Sequence, residues 1–301
     1  AKPSDRHRLI TFRYHVVTLV AVFMAIGLGV LFGATFIDQN IVDSLRATQA
    51  RLGDRNEALR DRIVDLEDQN DALTTFTGST RDIVVRNTLT DVPVVLVGFE
   101  STPSEALDAV RDTLTLAGAR TIGQLTLSDR LDLKSEDSRN RLASALGSSS
   151  TDAGRLSEEL VSQLGPALTG PNTQFLTRLL EAELATAPIA LPATVPDPQP
   201  VVVLIGGELS REVNDRVAVP LARFLGNDQI VAAAVESGVD LQMLEPVRDN
   251  SDLRIMTVDS IETPLGQSAL AVGLQGALTG QFGHYGRGEG ATTALPQFEG
   301  E

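Results

Sequence analysis

The N-terminal quarter of the chain contains an apolar run that continues directly into a leucine repeat. Residues 16–37 (VVTLVAVFMAIGLGVLFGATFI) include no charged side chain. An α-helix rises about 1.5 Å per residue, so this run is about 33 Å long and sufficient to cross a bilayer core of about 30 Å. The alternative is a cleaved signal peptide, but its apolar core is about 7–15 residues. We therefore predict a retained transmembrane helix over residues 16–37.

The charges on either side of this run predict its orientation. Residues 1–15 contain four basic side chains and one acidic one, whereas the first two charges after the run are acidic. Basic flanks stay on the cytoplasmic side of a membrane. We expect a single-pass plasma membrane protein with residues 1–15 as a cytoplasmic basic tail and the bulk of the chain extracytoplasmic.

Small residues recur at every fourth position within the apolar run. Ala25, Gly29 and Gly33 share one face of a helix at this spacing. Small side chains allow two membrane helices to approach closely. This face is the predicted packing surface within the bilayer.

A strict heptad of leucines follows. With leucine at position d, position a holds two asparagines and a glutamine among apolar residues. Leucine at d with occasional asparagine at a favours a parallel two-stranded coiled coil. We predict a homodimer through a coil over residues 38–76, ending at the polar segment 74–79; the alternative is one amphipathic helix lying on its own domain. The predicted interface consists of Val42, Leu45, Gln49, Leu52, Asn56, Leu59, Ile63, Leu66, Asn70 and Leu73.

Beyond a connector at residues 77–91, the pattern changes to short apolar runs that alternate with helical periods. Runs that are apolar on both faces are typical of buried parallel strands. Alternating strands and helices predict a three-layer α/β domain with a mostly parallel sheet over residues 92–283. It includes a Pro-rich linker at 188–200 and is followed by a flexible Gly-rich tail at 284–301. The predicted strands are 92–99, 120–127, 200–206, 230–235 and 253–258, and the helices 103–117, 139–146, 155–164, 174–185, 213–225 and 265–278.

Composition excludes several classes of function. The net charge of −15 argues against nucleic acid as a partner. The chain has no Cys, so it cannot form a disulfide framework. A nucleophile needs a base beside it, and His284 is the one histidine beyond the apolar run. Gly206 and Gly207 follow a predicted strand but lack the lysine of a phosphate-binding loop. We expect a non-enzymatic protein with no catalytic residue and no cofactor.

Metal ligands are also sparse. Copper favours sulfur and imidazole ligands, and the extracytoplasmic part offers only Met243, Met256 and His284, far apart in sequence. The two methionines are interpreted as core residues. No metal site is predicted.

Four segments resemble the actinobacterial copper transporter MctB family, which includes corynebacterial SteB-type cell-separation proteins. No catalytic or metal-binding motif is transferred by the resemblance, so it assigns no site residue. The similar segments, in chain order, are FRYHVVTLVAVFMAIGLGVLFG at 12–33, VVLIGGELS at 202–210, VDSIETPLG at 258–266 and HYGRGEGA at 284–291.

This resemblance implies two different functions. The family name implies a copper transporter of the outer membrane, with copper as its cargo, although one spanning helix cannot line a pore. The SteB-type relatives imply a membrane-anchored scaffold or regulator in cell division, acting with a SteA-like membrane protein and a cell-wall hydrolase. A single anchor, a dimeric coil and an inert α/β domain favour the second function.

Overall fold

The computed structural model describes residues 6–170, 173–194, 196–227, 232–236, 241–250 and 252–296, and their side chains except at 6–11, 34–42 and 173. The chain divides into two compact units, Ala1–Asp71 and Ala72–Glu301. The second contains all the strands described here, and we call it the α/β unit.

The first helix, α1, spans Arg6–Val85. Within it, Phe12–Gly33 is the one segment of the described residues that is long and apolar enough to cross a membrane. The predicted break at 74–79 is wrong, because the helix continues through it. Hydroxyl groups there bond to carbonyls of their own helix: Thr77 Oγ1 to Leu73 O and Thr80 Oγ1 to Phe76 O, each at 2.8 Å. These bonds satisfy the polar side chains without interrupting the helix.

A seven-stranded sheet forms the centre of the α/β unit, in the order β3-β2-β1-β4-β5-β6-β7. All neighbouring strands are parallel except β2 and β3. The predicted mostly parallel α/β fold is therefore confirmed. The strands are β1 (Pro93–Phe99), β2 (Arg120–Leu127), β3 (Ala185–Ile189), β4 (Val201–Ile205), β5 (Ala232–Val235), β6 (Met256–Val258) and β7 (His284–Tyr285).

Helices cover both faces of the sheet and give three layers. Val94 and Leu96 of β1 belong to one buried cluster with residues of α2, α9 and the end of α1, whereas Val95 and Val97 belong to the opposite cluster with the other helices. The remaining helices are α2 (Ser104–Leu116), α3 (Glu136–Leu146), α4 (Ala153–Thr169), α5 (Thr173–Glu181), α6 (Arg211–Val213), a π-helical turn (Asn214–Ala218), α7 (Val219–Asn227), α8 (Leu244–Arg248) and α9 (Pro264–Leu278).

Two segments differ from the sequence-based expectation. Helix α5 ends at Glu181, and residues within the predicted helix and Pro-rich linker instead form the edge strand β3. Pro188 is compatible with this position because an edge strand leaves one side of its backbone unpaired. The predicted tail also contributes to the sheet, because β7 pairs in parallel with β6 and Tyr285 bridges Thr293.

Candidate functional site

The predicted coil residues lie on the surface of α1 in a single chain. The five leucines of the heptad and Ile63 are between 51% and 63% exposed. Gln49, Asn56 and Asn70 at the polar a positions are exposed as well, and the side chain of Val42 lies outside the described residues. A helix with an open apolar seam at heptad spacing is suited to pairing. The homodimer remains a prediction.

The small-residue face of the apolar segment is equally open. A Cβ atom built at Gly29 or Gly33 would meet nothing within 4 Å, and Ala25 is exposed. This face therefore has room for a second helix, and its role in packing stays a prediction.

The carboxyl edge of the parallel sheet brings together polar residues that the sequence analysis did not connect. Glu236, Asp259 and Gly286 directly follow the adjacent strands β5, β6 and β7. This edge is where open α/β sheets bind ligands. Arg248, the last residue of α8, also reaches it.

Arg248 and Asp259 form an ion pair in which both side chains are 0% exposed, with Arg248 Nη1 at 3.0 Å from Asp259 Oδ2. Nε donates to Thr257 Oγ1 at 2.9 Å, and Nη2 donates to the carbonyl of Tyr285 at 2.8 Å. Nη1 also donates to the carbonyl of Glu289 at 3.0 Å. Buried charges require such complete pairing. The guanidinium therefore connects α8, β6 and the C-terminal segment.

The C-terminal segment encloses the carboxylate of Asp259. The backbone N–H groups of Arg287 and Gly288 donate to it at 2.8 and 3.0 Å, and Ser260 Oγ donates at 3.0 Å. Gly286 has φ of +130°, and a Cβ atom there would lie 2.2 Å from the carboxyl group. The glycines predicted to make this tail flexible instead allow its backbone to approach Asp259.

His284 continues this hydrogen-bonded network. Thr257 Oγ1 accepts from Arg248 Nε, so its own proton is available to His284 Nδ1, which is 3.0 Å away. A neutral ring that accepts at Nδ1 carries its proton on Nε2. Burial, together with the positive charge of Arg248, lowers the pKa of His284. This environment favours a neutral structural histidine.

Glu236 caps the start of α8. Its carboxylate accepts from the backbone N–H groups of Gln242 at 3.1 Å, Met243 at 3.2 Å and Leu244 at 3.1 Å. Burial raises the pKa of Glu236, and the three N–H donors and Arg248 oppose that shift. Its donors are supplied by its own chain, which indicates a structural role.

The crevice at the change in strand order, between β1 and β4, is filled by the chain itself. A Cβ atom at Gly207 would lie 2.6 Å from Pro103 Cδ, and one at Gly206 would lie 2.8 Å from Met243 Cε. Thr102 Oγ1 accepts from the N–H of Phe99 at 3.0 Å and donates to the carbonyl of Ile205 at 3.2 Å. The two glycines therefore serve close packing at the position where many α/β proteins hold a phosphate.

Met243 and Met256, which the sequence analysis interprets as core residues, belong to the buried clusters on opposite faces of the sheet. Met243 and Met256 are fully buried, and a Cβ atom at Gly273 would lie 2.3 Å from Met256 Sδ. Across the residues that the structure describes, no three His, Cys, Asp or Glu side chains form a group suited to a metal ion.

Comparison with known proteins matches one family over nearly the whole chain. The family model described as copper transport outer membrane protein, MctB, matches residues 9–296. The chain belongs to the MctB family. Proteins called copper transporter MctB from Mycobacterium bovis and Mycobacterium tuberculosis are 26% identical over 310 residues, covering 94% of this chain and 98% of theirs. The relative from Mycobacterium leprae is 25% identical over 320 residues, covering 96% of this chain and all of its own.

The structure places two of the MctB-like segments in contact. Segment 258–266 supplies Asp259, and segment 284–291 supplies the loop that encloses it. Thr263 of the first segment also caps α9 by accepting from the N–H of Gly266 at 3.1 Å. In this chain, these segments build the carboxyl edge of the sheet.

Arg248 is the principal residue of this site that the sequence analysis missed. It lies 11 residues from Asp259 and 37 from Tyr285, and no motif surrounds it. The available signal was a lone basic residue at the end of a short apolar turn, which is more typical of an exposed helix terminus.

Proposed function

We propose that this member of the MctB family is a dimeric, membrane-anchored scaffold that carries out no catalysis. Its apolar helix would cross the plasma membrane once, with the α/β unit on the extracytoplasmic side. The coil and the α/β unit would present a surface to a SteA-like membrane protein and to a cell-wall hydrolase, positioning or restraining that enzyme during cell division.

The open heptad seam carries this proposal. Six large apolar side chains of the predicted seam, the five leucines and Ile63, are more than half exposed on one helix, and their spacing suits a second copy of the same helix. Pro103 and Met243 fill the crevice beside Gly206 and Gly207, so a small substrate has no room at that position.

A charge in the seam tests the proposal. In Leu59→Glu, each copy would bury a carboxylate without a partner, so we expect the dimer to dissociate at least about 100-fold more readily. The full-length protein would be extracted in detergent, its mass measured by light scattering, and co-purifying SteA-like protein and hydrolase quantified.

The matched control is Ala58→Glu. Ala58 lies at position c, on the outer side of the predicted coil, so the same charge there should preserve both the dimer and the co-purifying proteins. A monomeric wild type, or equal recovery of partners with Leu59→Glu and wild type, would refute the scaffold.

A copper-homeostasis role is the second candidate, because the matched family and its relatives carry copper transport in their descriptions. Copper would be the cargo, and His284, Met243 and Met256 are the residues of suitable chemistry in the α/β unit. Since the methionines are buried and His284 Nδ1 is occupied by Thr257, binding would require local rearrangement.

Titration of the full-length protein in detergent with Cu(I) and Cu(II) distinguishes the two candidates. We expect no stoichiometric binding and no ion conductance in planar bilayers, and the same result for His284→Gln. Tight binding that is lost in His284→Gln, or conductance of the wild type, would favour the copper role instead.

A further inference from the structure

An exposed apolar face continues on α1 beyond the last leucine of the heptad. Within the α/β unit, Phe76 is 66% exposed, Ile83 is 80% exposed and Val84 is 43% exposed. Three large apolar side chains over about two and a half helical turns form a coherent face rather than scattered surface residues. This face lies in the segment where the sequence analysis predicted a break and a connector.

The other side of this helical segment packs on the rest of the α/β unit. Val85 is fully buried, and Arg81 Nη1 donates a hydrogen bond to Gln267 Oε1. A Cβ atom at Gly78 would lie 3.9 Å from Pro264 Cγ. In the heptad register, Gly78 and Val85 are b positions and Arg81 is an e position. This packing leaves Phe76 and Ile83 at g and Val84 at a exposed, whereas Thr77 at a and Thr80 at d are partly buried.

The uncovered face continues the heptad without a change of phase. Counting on from Leu73 at d gives Thr77 at a, Thr80 at d and Val84 at a, with Phe76 and Ile83 at g. The hydroxyl groups of Thr77 and Thr80 bond to carbonyls on the preceding turn, each at 2.8 Å. Since those hydroxyls are satisfied within the helix, each threonine can present its methyl group to an apolar partner.

We propose that this face, formed by Phe76, Thr77, Thr80, Ile83 and Val84, is the continuation of the dimer interface and binds the same face of a second copy. We call it the seam extension. The proposal rests on the coiled-coil dimer of the proposed function. The occupant follows from continuity, because the seam extension directly follows Leu73, the last leucine of the predicted seam, and keeps its heptad register. The paired helices would then hold two α/β units side by side as one body.

Disulfide mapping tests the seam extension directly, because the natural chain has no Cys and every thiol would be one that is introduced. In a parallel coil, residues at a and d face their own counterparts. We would make Leu59→Cys and Val84→Cys as seam probes, with Ala58→Cys and Ser79→Cys as controls at position c. The full-length proteins in detergent would be oxidised with diamide and separated on non-reducing gels.

We expect Leu59→Cys and Val84→Cys to form disulfide-linked dimers at least tenfold faster than their position-c controls. If Leu59→Cys cross-links but Val84→Cys reacts no faster than Ser79→Cys, the seam extension is overturned and the dimer of the proposed function stands. That outcome would leave the face open to a different protein. If neither seam probe exceeds its control, the coiled-coil dimer itself is refuted.

Discussion

Replacing Arg248 with methionine is expected to lower the free energy of unfolding of the α/β unit by about 3–5 kcal/mol. The substitution leaves Asp259 buried without its guanidinium partner, and removes the hydrogen bonds to Thr257 and to the carbonyls of Tyr285 and Glu289. A buried charge that loses its partner is costly because nothing replaces its lost hydration. Urea-dependent pulse proteolysis of the full-length protein in detergent would measure the change.

Arg211→Met is the matched control for this experiment. The Arg211 side chain is 91% exposed and is 3.5 Å from Asp215 in an ion pair on the helix surface. Such pairs contribute at most about 1 kcal/mol, so the control should remain close to the wild type. Equal stability of Arg248→Met and Arg211→Met would show that the buried pair does not hold the C-terminal segment on the sheet.

Gly266→Ala is expected to destabilise the α/β unit by about 2–3 kcal/mol. A Cβ atom at this position would lie 2.3 Å from the carbonyl oxygen of Ser260 and 2.9 Å from that of Asp259. Both neighbours are backbone atoms in the loop after β6, so relief of the overlap requires α9 or that loop to move. The same pulse proteolysis would report the loss.

Gly276→Ala provides a control on the same helix with the opposite expected sign. A Cβ atom there would meet its nearest neighbour, in Gln281, at 3.6 Å, which is ordinary contact. Alanine inside a helix is favoured over glycine by about 0.5–1 kcal/mol, so this variant should be slightly more stable. Destabilisation of both variants by the same amount would indicate that α9 tolerates no added methyl group, rather than a specific approach at Gly266.

The contact between the C-terminal segment and Asp259 explains why the sequence analysis predicted a flexible tail there. The composition of this segment, rich in glycine, is typical of flexible tails. Here Gly286 has φ of +130° and lies against Asp259, so the glycine is required by proximity to a buried carboxylate. Composition alone does not distinguish these two uses of glycine.

The start of α2 shows the same limit. Thr102, Pro103 and Glu105 match the pattern of a capping box, yet α2 has Pro103 at its N-cap and no side-chain cap. Thr102 instead bonds to the backbone of Phe99 and of Ile205, which is 103 residues away. Thr102 therefore bonds to β4, a strand distant in sequence, instead of capping α2.

The amino-acid sequence by itself determined the features that depend on local periodicity. The apolar segment, the heptad seam and the buried strands β1, β2 and β4 each follow from the spacing of apolar side chains, because that spacing decides which face of a helix or strand avoids water. The family resemblance likewise rests on four segments of the sequence alone, and the family match confirms it.

Only the tertiary structure decided how the carboxyl edge of the sheet is completed. Arg248, Asp259 and the loop after Tyr285 are brought together by adjacent strands, and their hydrogen bonds satisfy charges that are fully buried. The continuation of α1 to Val85 likewise coincides with packing against α9. The physical reason is that the spacing of apolar side chains is a property of the sequence alone. The partner of a buried polar group, by contrast, depends on which strands become neighbours in the fold.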